Sequence, residues 1–64
     1  GLDMARRVVT TAARLLAPGG WLFMEIGGTQ DELLAPNLTE SGFGCAEAWH
    51  DGEGELRGLS ARRA

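Results

Sequence analysis

The residue with the clearest potential for chemistry is Glu25, a carboxylate near the end of the apolar run Trp21–Ile26. In open α/β sheets, ligands bind beyond the carboxyl ends of the strands. Gly27 and Gly28 follow directly, and glycines allow a ligand to approach the backbone closely. This arrangement predicts that Glu25, Gly27 and Gly28 border a substrate pocket. The alternative interpretation is a glutamate that is solvated or paired with an arginine, followed by a tight turn, since the glycines form neither a dinucleotide-binding nor a Walker motif.

Other reactive side chains do not combine into a site. Cys45 and His50 lie five residues apart, and an odd separation on a strand places them on opposite faces, which disfavours a Cys–His dyad. Asp51, Glu53 and Glu55 alternate but lack the glycine and glutamate of a calcium-binding EF-hand loop. One cysteine and one histidine exclude a multi-ligand Cys/His zinc site. The sequence therefore predicts no catalytic, cofactor-binding or metal-binding residue in this chain.

Composition limits the class of protein. The chain has 64 residues, 44% of them hydrophobic and 23% charged, with a net charge of −3. Residues 1–64 thus make one domain at most, and charge-driven disorder is disfavoured. The chain contains no apolar run of about 18 residues, the length that is needed to span a membrane. Its net acidity disfavours direct nucleic-acid binding. A single free thiol is typical of the cytoplasm. The first residue is Gly1, so we expect a processed start or a piece of a longer protein.

An amphipathic helix is predicted from about Met4 to Leu16, with Asp3 as its N-cap. Three- and four-residue spacing places six apolar side chains on its buried stripe: Ala5, Val8, Val9, Ala12, Leu15 and Leu16. Pro18-Gly19-Gly20 then ends the helix in a tight turn. The run Trp21–Ile26 follows without alternation, which predicts a strand covered on both faces, as in a parallel sheet between helices.

A second helix is predicted from about Gln30. Thr29 and Glu32 match a capping box at its start, and Ser41-Gly42 is a C-terminal stop. Pro36 should kink or split this helix. Three leucines are expected to point inward: Leu33, Leu34 and Leu38.

An antiparallel hairpin is predicted for the C-terminal part. The segment Cys45–His50 and the segment from Glu55 to Arg62 both alternate, and Asp51-Gly52-Glu53-Gly54 between them favours a turn. The expected fold class is therefore α/β, in the order helix, buried strand, helix, antiparallel hairpin.

Several segments of the chain carry a resemblance to a known family: Gly1-Leu2-Asp3, Arg6-Arg7, the stretch from Leu15 to Leu22, Glu25-Ile26-Gly27, Ser41-Gly42-Phe43 and Ala61-Arg62-Arg63. Together they resemble the C-terminal third of class I S-adenosylmethionine-dependent methyltransferases, which have a Rossmann-like fold. More narrowly, they resemble the HemK/PrmC family of N5-glutamine methyltransferases that modify peptide release factors.

The resemblance implies that residues 1–64 are a single partial domain of such an enzyme. It implies S-adenosylmethionine as cofactor of the parent domain and a protein substrate such as a release factor. The family's Gly-rich cofactor loop and Asn-Pro-Pro-Tyr motif are absent from this sequence. No cofactor-binding or catalytic residue can therefore be transferred, and the segment alone should be inactive and bind no cofactor.

Two hypotheses follow from the sequence. In the first, the chain is a methyltransferase fragment whose partner is the missing N-terminal part of the same domain. In the second, it is a small stand-alone oligomerising interaction module without catalytic activity. Under either hypothesis the apolar strand requires cover on both faces and at both edges, so the isolated chain is expected to self-associate or to be loosely packed.

Overall fold

The computed structural model describes residues 2–64, so the Gly1 of the Gly1-Leu2-Asp3 triplet lies outside the described residues. Its elements follow the predicted order of helix, strand, helix and hairpin. They are α1 (Leu2–Leu15), β1 (Trp21–Glu25), α2 (Gln30–Glu40), β2 (Phe43–His50) and β3 (Leu56–Arg63). The described chain is therefore α/β, as the sequence predicts.

The three strands form one antiparallel sheet in the order β1-β3-β2. The predicted hairpin is confirmed as the β2–β3 pair. Within residues 2–64, β1 pairs only with β3 and antiparallel, so this chain does not itself supply the parallel partner and the two-sided cover predicted for β1. Its side chains alternate between a covered face, with Leu22 buried, and an open face, with Trp21 and Phe23 exposed. The second face is open because the described helices pack only against the opposite side of the sheet.

A single hydrophobic core lies between the helices and the covered face of the sheet. Helix α2 packs on β2 and β3, and α1 packs on α2. The buried members of the core are Ala5, Val9, Leu22, Ile26, Leu34, Leu38, Phe43, Leu56, Leu59 and Ala61. None of the helices in residues 2–64 is long and apolar enough to cross a membrane.

Helix α1 begins at Leu2, so Asp3 lies in its first turn and the predicted N-cap is wrong. The predicted stripe is only partly buried. Val9 is fully buried, whereas Val8 is 38% exposed and Leu15 is 80% exposed. This difference arises because α1 contacts its neighbours along a narrower face than the full apolar stripe.

Helix α2 begins at Gln30 as predicted, and Ser41 and Gly42 end it with N–H groups that bond carbonyls of its last turns. The predicted capping box is wrong, since the Thr29 side chain makes no cap hydrogen bond. Pro36 lies inside one continuous helix, so the predicted split does not occur.

Only one side of α2 reaches the core. Leu34 and Leu38, four residues apart, are buried, as expected. Leu33 is 52% exposed, which contradicts the inward position predicted for it. Adjacent helical residues differ by about 100° around the axis, so Leu33 and Leu34 cannot both face the sheet.

The last residues of β3 fix the turn that leads into β1. The backbone of Arg63 exchanges hydrogen bonds with this turn, donating to Gly20 O at 2.8 Å and accepting from Gly19 N at 2.7 Å. Its side-chain Nε donates to the carbonyl of Ala13 near the end of α1. These contacts set where β1 begins and therefore where its carboxyl end lies.

Candidate functional site

An open cavity of about 570 Å³ lies at the carboxyl end of β1. Its lining residues come from β1, the turn before α2, and the hairpin: Glu25, Ile26, Gly27, Gln30, Trp49 and Arg57. Two of the three residues predicted to border a substrate pocket, Glu25 and Gly27, line this cavity. Gly28 is the next residue along the turn, is exposed, and is not among the lining residues.

The turn after β1 is closed by Gln30 rather than by Thr29. The Gly27 N–H donates to Gln30 Oε1 at 3.1 Å, and the Gln30 N–H donates to the Gly27 carbonyl at 3.1 Å. Gly28 has a φ of 59°, in the left-handed region where a side chain is strained. The two glycines therefore act first as a turn that orients the start of α2 at the cavity rim.

The opposite wall of the cavity depends on Asp51, which organises the hairpin turn. Its Oδ1 accepts hydrogen bonds from the backbone N–H groups of Glu53 and Glu55, at 2.9 and 3.0 Å. Its Oδ2 accepts one from Arg57 Nε at 2.9 Å. These bonds lower the pKa of the Asp51 carboxyl, most of all the Glu55 amide bond, because each of them favours the charged form. A carboxylate in this turn thus holds the Arg57 guanidinium at the rim.

Trp49 contributes the aromatic surface of the cavity, and its position depends on Gly58. The two residues are paired across β2 and β3, and Gly58 is buried. A Cβ at position 58 would lie 2.7 Å from Trp49 Cε2 and 2.8 Å from the Met24 carbonyl oxygen. Only a glycine therefore leaves room for the indole to lie across β3.

A bulge brings Arg57 to the cavity. The β2–β3 register passes from Trp49 opposite Gly58 to His50 opposite Leu56, so Arg57 has no partner on β2. Its carbonyl instead accepts from Ile26 N at 3.1 Å, which joins the ends of β1 and β3. Neither Trp49 nor Arg57 is among the residues predicted from the sequence to border a pocket. The available signal was an aspartate at the start of a Gly-rich turn with an arginine six residues later.

The cavity combines opposite charges that do not neutralise one another. Within residues 2–64 the Glu25 carboxylate has no ion-pair partner, and the ion pair of Arg57 is with Asp51. A carboxylate accepts hydrogen bonds, and a guanidinium donates them. The site can therefore bind a group that both donates and accepts, such as an amide, beside the flat surface of Trp49.

The reactive side chains outside the cavity stay apart. Cys45 is exposed near the start of β2, beside Arg62 and Arg63, whereas His50 ends the same strand next to the hairpin turn. The disfavoured Cys–His dyad is therefore not formed.

The class that the fold defines is an α/β unit with a polar cavity at the carboxyl end of a strand.

Two curated proteins are similar to this chain. The release factor glutamine methyltransferase of Deinococcus radiodurans is 42% identical over 64 residues, covering 100% of this chain and 23% of that protein. The release factor glutamine methyltransferase of Geobacter sulfurreducens is 42% identical over 43 residues, covering 67% of this chain and 15% of that protein. The similarity lies in the C-terminal part of these relatives. The chain thus spans less than a quarter of the length of the curated relatives it matches.

No protein-family model matches the chain, and no solved structure matches it.

Proposed function

We propose that this chain is the C-terminal part of an S-adenosylmethionine-dependent methyltransferase of the HemK/PrmC kind, which methylates the side-chain amide of a glutamine in a release factor. The observation that carries the proposal is the 42% identity along the whole chain to a release factor glutamine methyltransferase. The cavity at the carboxyl end of β1 supports it, because ligands of open α/β folds bind at that end of the strands. We place the parent enzyme in the cytoplasm.

The residues of this chain fit one wall of a substrate pocket. In this proposal, Glu25 accepts a hydrogen bond from the amide group to be modified, and Gly27 leaves space beside it. Arg57, held by Asp51, donates to a carbonyl of the same substrate. Both are polar contacts that orient an amide, while the methyl transfer itself requires groups outside this chain.

The residues present do not fit the cofactor. The Gly27 amide, which could bind an anionic or carboxylate group, is already bonded to Gln30. The first turn of α2 carries Asp31 and Glu32, whose charge disfavours a carboxylate there. We therefore assign no step of the reaction to cofactor contacts with this chain. S-adenosylmethionine would be held by the preceding part of the domain.

The open face and the outer edge of β1 are a surface that another segment of the parent enzyme could cover. Trp21 is 46% exposed and Phe23 is 68% exposed, and their rings stack with centroids 6.2 Å apart. Large exposed aromatic groups beside an unpaired strand edge are typical of a surface that another segment covers. We propose that the preceding part of the same domain covers it in the parent enzyme.

A chimeric enzyme tests this proposal. The C-terminal segment of the Deinococcus radiodurans relative that aligns with this chain is replaced by residues 1–64. We expect the chimera to fold and to methylate its release factor, measured by transfer of labelled methyl groups. The chimera with Glu25→Gln should bind cofactor normally but methylate more slowly, whereas Glu40→Gln, at the far end of α2, is the matched control. A folded, cofactor-binding chimera without methyl transfer would contradict the proposal.

Calorimetric titration of the 64-residue chain with S-adenosylmethionine tests the assignment of the cofactor to the missing part. We expect no heat beyond dilution. Micromolar affinity would show that the chain itself holds the cofactor and that the fragment hypothesis is wrong.

A stand-alone oligomerising module is the second candidate function, and the edge of β1 that is unpaired within residues 2–64 is the observation that favours it. The codons upstream of Gly1 discriminate between the two. A Gly-rich loop followed by Asn-Pro-Pro-Tyr supports the methyltransferase, and a start codon immediately before Gly1 supports the module.

A further inference from the structure

Gln30 presents a fixed hydrogen-bond donor at the cavity beyond the carboxyl end of β1. Its Oε1 accepts the Gly27 N–H at 3.1 Å, and its backbone N–H donates to the Gly27 carbonyl at 3.1 Å. A side-chain amide carries its acceptor and its donors on different atoms, so the bond to Gly27 commits the Nε2 group to other partners. Gln30 lines the cavity, and within residues 2–64 its Nε2 donates to no protein group. This donor is therefore available to a ligand.

Arg57 presents a second set of donors from the opposite wall. Its Nε donates to Asp51 Oδ2 at 2.9 Å, which fixes the orientation of the guanidinium. The two terminal nitrogens of Arg57 donate to no other group of the described chain, residues 2–64. Because a guanidinium carries its N–H donors in one rigid plane, the donors that Asp51 does not use keep a fixed direction.

The charges around these donors favour a neutral ligand. Glu25 lines the same cavity. Further carboxylates lie in the first turn of α2 and in the hairpin turn, the two segments that flank the cavity: Asp31, Glu32, Glu53 and Glu55. Repulsion from these groups disfavours a phosphate or a carboxylate, and the donors of Gln30 and Arg57 disfavour a cation. The site is instead complementary to neutral carbonyl oxygens, together with an N–H group that donates to Glu25.

The cavity is larger than the amide group of one side chain. Its volume of about 570 Å³ lies in the size range of pockets that bury whole small ligands. Trp49 adds a flat apolar wall, which Gly58 allows to lie across β3. A glutamine side chain supplies a single carbonyl oxygen, whereas every residue of a polypeptide supplies another on its main chain. A main-chain segment can therefore satisfy donors on both walls at once.

We propose that Gln30 and Arg57 bind main-chain carbonyl oxygens of the substrate segment that flanks the target glutamine, and that this segment lies against Trp49. The inference rests on the proposed function, in which Glu25 accepts a hydrogen bond from the target amide. Main-chain carbonyls inside a helix or a sheet are already bonded. The substrate is thus an exposed, extended loop of a protein rather than a regular secondary structure.

Gln30→Glu, made in the chimera described above, separates the donor from the turn. One carboxylate oxygen can still accept the Gly27 N–H, and a negative charge in the first turn of a helix is favourable. The other oxygen replaces the Nε2 donor by an acceptor. We expect the KM for the release factor to rise about tenfold, because a hydrogen bond is lost and two acceptors face each other. The kcat should change less than about twofold, since this contact is the same in the ground state and the transition state.

Thr29→Glu is the matched control for charge. Thr29 is exposed, makes no side-chain cap hydrogen bond and is not among the residues lining the cavity. Its substitution adds one negative charge to the same turn and leaves the Gln30 donor in place. The KM should stay within about twofold of that of the unsubstituted chimera, because charges exposed to water are screened. Urea unfolding verifies that both variants are folded.

Arg57→Lys tests the donors on the opposite wall. A lysine keeps the positive charge and can pair with Asp51, but it lacks the rigid fork that bonds Asp51 and a ligand together. We again expect a KM several times higher, on the order of one lost hydrogen bond, with little change in kcat. Arg6→Lys, at an exposed ion pair of α1, is the control and should leave the KM unchanged.

Fluorescence anisotropy of labelled release factor gives its Kd for each chimera, and this distinguishes the inference from the proposed function. If the unsubstituted chimera methylates but either Gln30→Glu or Arg57→Lys keeps its KM and Kd, the main-chain contacts are wrong and the methyltransferase proposal stands. The same holds if Thr29→Glu raises the KM as much as Gln30→Glu. A chimera that binds release factor without methylating it contradicts the proposed function, while weaker binding by the two variants still supports the contacts. A folded chimera that neither binds nor methylates release factor overturns both proposals.

Discussion

Arg57 Nε donates a hydrogen bond to Asp51 Oδ2 at 2.9 Å, across the turn that joins β2 and β3. The same aspartate accepts two backbone N–H groups within the turn. One side chain thus shapes the hairpin and places a guanidinium at the cavity beside Glu25. This relationship links the stability of the turn to the chemistry of the candidate site.

The Asp51 carboxylate should make stability depend on pH. Its pKa is lowered from the ordinary value of 3.8, so it stabilises the folded state at pH values above 3.8. That contribution is lost as pH falls below 3.8, through the pKa of the folded state. We expect urea unfolding midpoints of the wild type to fall in this range and those of Asp51→Asn to change less. Glu53→Gln, whose backbone rather than side chain bonds Asp51, is the control and should follow the wild type.

Gly58→Ala should destabilise the chain and disturb the cavity. The new methyl group would contact Trp49 and lie 2.8 Å from the Met24 carbonyl oxygen. Overpacking of this kind costs about 1–3 kcal/mol in the free energy of unfolding, and the Trp49 fluorescence should shift as the indole moves. Gly44→Ala is the matched control, since a Cβ there meets nothing within 4 Å. Equal stability of the two variants would contradict the packing of Trp49 on Gly58.

Leu34→Ala and Leu33→Ala compare two neighbours in one helix. Leu34 is fully buried, so its truncation should cost about 2–5 kcal/mol. Leu33 is 52% exposed, and its truncation should change the free energy of unfolding by less than about 1 kcal/mol. Thermal unfolding followed by circular dichroism measures both. A larger effect at position 33 would mean that α2 is rotated about its axis.

Pro36→Ala should stabilise the chain. Pro36 lies inside α2, where it has no N–H to donate to the carbonyl four residues earlier. Proline in a helix interior costs up to about 3 kcal/mol relative to alanine, and we expect part of this to be recovered. Pro18→Ala, in the turn after α1, is the control and should give no gain. The measurement is the free energy of unfolding in urea.

Much of the fold could be predicted from the sequence because the signals are local. The start of α2 at Gln30, its end at Ser41 and Gly42, and the β2–β3 hairpin all follow from turn residues and periodicity. Glu25 and Gly27 also lie at the predicted place, at the carboxyl end of a strand beside a cavity. Their role in a substrate pocket stays a prediction.

Other predictions were wrong where neighbouring groups compete for the same role. Gln30, rather than Thr29, bonds the turn before α2, since its longer side chain reaches the Gly27 amide. Leu33 and Leu34 are equally apolar, yet only one of them can face the sheet, and it is Leu34. Sequence patterns do not resolve such choices, because they depend on which side of the helix the sheet occupies.

The sequence by itself determined the elements, their order and the carboxylate at the end of β1. Only the tertiary structure decided that β1 is antiparallel with one open face, and that Trp49 and Arg57 join Glu25 at the cavity. The physical reason is the distance in sequence over which the interactions act. Turns and helix ends depend on adjacent residues. The coverage of each face and the hydrogen bond from Ile26 N to the Arg57 carbonyl depend on packing between segments distant in the chain.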